Sequence, residues 1–393
     1  MDSGVVKDPA ADALAPAAPA ESPRSDATSA GPQGAASGTP TSPPASGRRA
    51  KRRLAVDLSI LAVIGVLLIA AVAAAFGAVQ RELYSPTAFV ERYLSLLADG
   101  NAAEALTVPG VSVASTDLES ADLPPTAHDA LLRSSAMGSL SDAHVISEVL
   151  HGDVYEVTVE YKAGRYEGTS TFEVIREGQV GIAPTWRFAT SPLAVLTLDV
   201  RGSTTFDVNG FALDKRQVSP DGADADPADP VDLLVFTPGL YSVSVNSAIA
   251  STAGVAVLSD APFAEVPVRV QAQPTEQFTE VVQQRVEEFL TTCATQEVLQ
   301  PTGCPFGYVV EDRIVGTPKW SILAQPTIEL VPNGANWSIP ATDAVAGISV
   351  DIQSLFDGSI TATEDEVPFR LTGTIRVLAD GSVTIAVSGT DTQ

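Results

Sequence analysis

The distribution of apolar and polar positions divides the chain into stretches of different character. Residues 1 to about 47 are mostly Ala, Pro, Ser, Gly and Thr, with hardly any large apolar side chain. Such a stretch cannot bury enough surface to offset the entropy of ordering, so a disordered tail is expected over 1–53, up to the end of a basic cluster. An uncharged apolar run then extends from Leu58 to Val79. As a helix it would measure about 33 Å against a bilayer core of about 30 Å, which predicts one transmembrane helix within residues 54–80. Arg48, Arg49, Lys51, Arg52 and Arg53 lie ahead of the run, whereas only Arg81, beside Glu82, follows it closely. By the positive-inside rule these five basic residues determine the topology, with the N-terminus cytoplasmic and everything from residue 81 outside the plasma membrane. The small-residue end AVAAAFGA is similar to a signal-peptide cleavage site, but the length of the run and the residues ahead of the basic cluster favour a retained signal anchor.

Beyond the run the apolar period is first helical. In SPTAFVERYLSLLADG, Ser85 can cap, Pro86 suits the first helical position, and Phe89, Tyr93, Leu96 and Leu97 share a face, with Gly100 ending the helix. Two more helices are expected near Asn101–Thr107 and Pro125–Met137. The period then changes to two. VYEVTVEY from Val154, STFEVI from Ser170 and TWRFA from Thr185 predict an antiparallel sheet with one apolar face. Helices followed by a sheet make 81–190 an α+β domain. Residues 191–272 read as a small all-β domain, with Asn209-Gly210 as a two-residue hairpin turn and TPGLYSVSV as a turn and strand. In 273–393, a helix near Thr275–Leu290 presents Phe278, Val281, Val282, Val286 and Phe289, and strands follow, turning at Asp380-Gly381. This helix-then-sheet order gives a second α+β domain, and the fold class of the whole chain is α+β.

The opening FVERYLSLLADGNAAEAL, with the strands that end in PTWRFA, resembles the NTF2-like or cystatin-like modules that follow a single span in many Gram-positive envelope proteins. The stretch TFDVNGFAL with PGLYSVSVNS is similar to the small β modules of the teicoplanin-resistance-associated membrane protein family, although the paired cysteines of that family's zinc ribbon have no counterpart before the span. The first resemblance implies a cone-shaped domain over 81–190, with a pocket between helix and curved sheet. It carries no functional residue over to this chain.

Charge narrows the partners. The formal net charge is −25, and residues 1–53 hold seven basic and five acidic residues, which leaves −27 for the rest. An acidic exported region repels nucleic acid and anionic wall polymers at long range, so nucleic acid is not an expected partner. Cys293 and Cys304 are the only cysteines. In an oxidising compartment they are expected to form a disulfide, and two thiols with no histidine nearby do not make a zinc site.

Candidate chemistry is sparse. His128, His144 and His151 could meet as an acid–base or metal cluster, but isolated histidines in polar contexts mostly face solvent. The metalloprotease, serine-hydrolase, penicillin-recognising and nucleotide-binding signatures do not occur. Asp221, Asp224, Asp226, Asp229 and Asp232 crowd one stretch without EF-hand spacing, and a solvated loop is expected there. Glu364, Asp365 and Glu366 read as a solvated turn, and Trp186, Trp320 and Trp337 as core. No metal, cofactor or catalytic residue is assigned. The expected function is that of a non-catalytic single-pass envelope protein binding a protein partner or wall-related ligand. The alternative is a ligand sensor or enzyme that uses the pocket of the first exported domain.

Overall fold

The computed structural model describes residues 58–74, 84–181 and 183–390, and the chain divides into two units, residues 1–69 and 70–393. The basic cluster Arg48–Arg53 lies outside the described residues, as do 1–47 and 75–79. Residues 58–74 are helical, with every apolar side chain exposed from Leu58 to Val72 except at the half-exposed Gly65. Among the described residues no helix is long and apolar enough to cross a membrane.

The remainder is mixed α+β, mostly sheet with few helices. Helix α1 (Pro86–Ala98) starts where the Ser85 hydroxyl accepts from the Ala88 N–H at 3.1 Å, and it buries Val90, Tyr93, Leu94 and Leu97. Short helices α2 (Ala102–Ala105) and α3 (Ser115–Ser120) follow. The helix expected at Pro125–Met137 is replaced by two 3-10 turns, Asp129–Leu131 and Ser134–Ala136. The reason is tertiary: the His128 N–H donates to the Asp232 carbonyl at 2.8 Å and the Leu234 N–H to the His128 carbonyl at 2.9 Å, which holds this backbone extended along a strand.

Strands β1 (Leu140–His151), β2 (Val154–Ala163), β3 (Tyr166–Val180) and β4 (Ala183–Phe188) form an antiparallel sheet in sequence order. Its inner face packs on α1 through Val157, Val159, Phe172, Val174 and Phe188. The middle region contributes β5 (Leu193–Arg201), β6 (Thr205–Val208), β7 (Phe211–Asp214), helix α4 (Lys215–Val218), β8 (Val231–Phe236), β9 (Gly239–Ser244), β10 (Ala250–Ser251), β11 (Val255–Ser259), β12 (Glu265–Gln271) and β13 (Gln273–Pro274). One sheet runs β12-β5-β8, with β5 parallel to β12, and the facing one runs β11-β9-β6-β7. Strand β5 is buried on both faces, because Leu196 and Leu198 enter the sandwich core while Val195 packs on Leu118 and Leu123. The β6–β7 hairpin turns at Asn209 and Gly210, with φ of 51° and 82°, as the dipeptide predicts.

Helix α5 (Glu276–Ala294) is capped by Thr275 and buries Phe278, Val282, Val286, Leu290 and Cys293 on one stripe. Strands β14 (Arg313–Ala324), β15 (Val331–Asn333), β16 (Asn336–Gln353), β17 (Ile360–Val377) and β18 (Val383–Thr390) complete an antiparallel sheet ordered β14-β16-β17-β18, with β15 also on β16. One buried cluster runs from Ala130 through the sandwich and α5 to Val377. Glu364, Asp365 and Glu366, expected as a turn, lie inside β17, paired with Ser349, Ile348 and Gly347.

Cys293 and Cys304 are disulfide-bonded with Cα atoms 5.8 Å apart, which fastens the end of α5 to the segment before β14. Closing this loop restricts the unfolded chain. Replacing both cysteines by serine is therefore expected to cost about 3 kcal/mol, read as a lower urea midpoint.

Candidate functional site

Three places bear on function: the interior between α1 and the first sheet, the outer face of that sheet, and the tip of the β16–β17 hairpin. The interior is filled. Tyr93, Phe172 and Phe188 are fully buried and meet in pairs, at 6.2 Å for Tyr93–Phe172, 5.2 Å for Tyr93–Phe188 and 5.8 Å for Phe172–Phe188. Phe89 closes on Phe188 at 4.9 Å. The Tyr93 hydroxyl donates to the Thr237 carbonyl at 3.0 Å, and burial pushes its pKa well up, so it serves as a neutral tie to the sandwich. Aromatic rings occupy the position at which a helix-on-sheet module would hold a ligand.

On the outer face, Asp142, His144, Glu160, Lys162, Glu167 and Thr169 line a shallow groove of about 470 Å³. His144 Nε2 lies 3.7 Å from Glu160, and Lys162 lies 3.3 Å from Asp142 and 3.7 Å from Glu167. All these side chains are exposed, where such pairs contribute little, and among the described residues no hydroxyl or thiol is hydrogen-bonded to His144 as a nucleophile would be. The three histidines are not brought together. His151 pairs with Glu156 at 3.6 Å, and His128 Nδ1 accepts from the Ala130 N–H while lying 3.6 Å from Asp129. Among the described residues no group of three His, Cys, Asp or Glu is placed to hold a metal ion.

The acidic stretch 221–232 is organised by a residue that sequence reasoning missed. Lys215 opens α4 and is 1% exposed. Its ammonium donates to the carbonyls of Val200 at 2.8 Å, Pro227 at 2.5 Å and Asp229 at 3.0 Å, which gathers strand and loop around one charge. Burial lowers its pKa to about 8, against the opposing pull of Asp199, Asp229 and Asp226. Asp232 belongs to β8 rather than the loop and accepts from Thr197 at 2.8 Å. In the sequence, Lys215 precedes Arg216 and looks like surface charge.

Strands β16 and β17 are the longest among the described residues, and the turn joining them is ordered by hydrogen bonds within it and to Asp312. The Phe356 N–H donates to the Ser354 hydroxyl at 3.2 Å, the Ser359 N–H to Asp357 at 3.1 Å, and the Leu355 N–H to Asp312 at 3.1 Å. These bonds hold Leu355 at 71% exposure and Phe356 at 99%. Residues 351–369 contain Asp351, Asp357, Glu364, Asp365 and Glu366 with no Lys or Arg, so an apolar tip rides on an acidic stem. Trp320 and Trp337 are core, as their sequence contexts predict, but Trp186 is only half-buried.

Comparisons with protein families, with curated proteins and with solved structures give no match for this chain.

Proposed function

We propose that this chain is a non-catalytic, single-pass cell-envelope protein. Its apolar run 58–79 anchors it with the N-terminus cytoplasmic, and its exported body binds a protein partner through the β16–β17 tip. The observation that carries the binding role is Phe356, held in the open at 99% exposure by an ordered turn. An aromatic anchor of this kind is what central interface positions use, and the acidic stem selects a partner with basic side chains around an apolar pocket. The same acidity disfavours an anionic wall polymer as the ligand. Anchoring is supported by the exposed apolar side chains of the helical residues 58–74, and export by the disulfide. The NTF2-like reading of 81–190 is kept for its order of helix and sheet, with its pocket closed by Tyr93, Phe172 and Phe188. That closure counts against a sensor or enzyme there.

In-cell crosslinking of tagged full-length protein, with the span alone as control, tests this reading. Wild type should enrich one or a few envelope proteins in a salt-sensitive manner. The exposed Phe356→Ala variant should lose about 30-fold in capture, equivalent to about 2 kcal/mol for a central aromatic, at unchanged thermal stability. Equal capture by wild type, variant and span alone would overturn it.

A further inference from the structure

The chain enters the first module at Tyr84, and an unusual surface gathers there. The indole N–H of Trp186 on β4 donates to the Tyr84 carbonyl at 2.8 Å. Tyr155 on β2 meets Trp186 edge to face at 5.2 Å, and Leu150 on β1 is the register partner of Tyr155. Glu148 of the same strand accepts from the Thr87 hydroxyl at 2.6 Å, which fixes this end of β1 against the first turn of α1. Leu150 is 53% exposed, Tyr84 43%, and Val180 at the β3–β4 turn 73%. Segments distant in sequence thus bring apolar and aromatic groups to the point of entry.

What covers this rim follows from chain length. Tyr84 stands five residues after Val79, the end of the predicted span, and five residues reach at most about 18 Å even fully extended. If the span crosses a bilayer, as the proposed function holds, the rim cannot leave the neighbourhood of the headgroups. Its chemistry suits that layer, because Trp and Tyr pair an apolar body with a polar tip and concentrate at membrane interfaces. Arg176 and Arg187 stand exposed on a sheet whose strands and β1–β2 turn also carry Glu148, Asp153, Glu156 and Glu177, a mixed set, so apolar and aromatic contact rather than charge attraction is what the rim offers a bilayer.

We propose that the rim of Tyr84, Leu150, Tyr155, Val180 and Trp186 docks on the outer leaflet and holds the first module against the bilayer. The inference rests on the anchoring reading, and its test separates the two. The full-length chain is reconstituted in phosphatidylcholine–phosphatidylglycerol vesicles as Leu150→Cys or Phe356→Cys, each labelled with an environment-sensitive fluorophore while the native cysteines stay disulfide-bonded. Co-flotation reads the anchor. Quenching by lipids with a nitroxide near the headgroup reads the docking, and the label at 150 should be quenched at least about twofold more than the label at 356, as an interfacial position requires. Flotation with neither label quenched, or both quenched equally, would overturn the docking and leave the anchor standing. Shielding of the label at 150 from a water-soluble quencher without quenching by lipid would assign the rim to a protein contact and would also overturn it. Failure to float would remove the anchor and this inference together.

Discussion

Replacing Trp337 with alanine is expected to cost about 3–5 kcal/mol, as truncating a fully buried large aromatic does. Trp337 is buried at the start of β16, 5.4 Å from the ring of Phe278 on α5, and it covers Gly202 at the end of β5. A Cβ at Gly202 would stand 3.2 Å from the indole, and Gly202 has a φ of 81°, so neither side of this contact has slack. Among the described residues the buried indole N–H has no hydrogen-bond partner, a cost that packing has to offset. Trp337→Phe removes that N–H along with part of the packing and should lose much less than Trp337→Ala. Since the indole joins the sandwich to the C-terminal helix and sheet, calorimetry should show both melting earlier in the alanine variant. Loss confined to one of them would contradict a shared core.

The second large effect is expected at Lys215. Lys215→Met keeps an apolar stem of similar length but removes the donor to three carbonyls. At about 1–3 kcal/mol for each acceptor left unsatisfied, the variant should lose about 3 kcal/mol or more at neutral pH. The lysine also leaves a pH signature. Its folded pKa of about 8 lies below an unfolded value of about 10.4, so between those limits the unfolded chain binds more protons than the native one. The cost of burying the charge is present in full below about pH 8 and is relieved as pH rises toward 10. The lysine protein should therefore gain stability over this window, relative to Lys215→Met, in urea titrations at successive pH values. Equal slopes in the two proteins would show that Lys215 keeps an ordinary pKa.

What the sequence displayed was local chemistry. Asn209-Gly210 announced its hairpin because both residues tolerate positive φ, Asp380-Gly381 because Gly381 does, and the Ser85-Pro86 start of α1 was visible because a capping hydroxyl and a fixed proline φ are equally local. Where tertiary pairing decides, the pattern misled. Residues 125–137 have the composition of a helix, yet His128 spends its backbone groups on Asp232 and Leu234. The run Glu364–Glu366 resembles a turn because β17 is exposed along much of this stretch, so no apolar alternation marks it. The candidate sites were less legible still. The tip at Leu355–Phe356 is a plain SLFDGS loop until its exposure is known, and the rim at Trp186 joins residues just over a hundred positions apart.

The parallel pairing of β5 with β12 bears on how the chain reaches this state. Val195 pairs with Glu265 and Arg201 with Gln271, so β5 acquires this neighbour only after some seventy further residues have been made. Its other neighbour, β8, also comes later in the chain. A nascent chain therefore carries LAVLTLDV, a β-prone apolar strand, with one edge open until β8 is made and the other until β12 is made. Aggregation during folding should concentrate in that segment, and a chain cut before residue 265 should be captured by holdase chaperones far more strongly than the complete one.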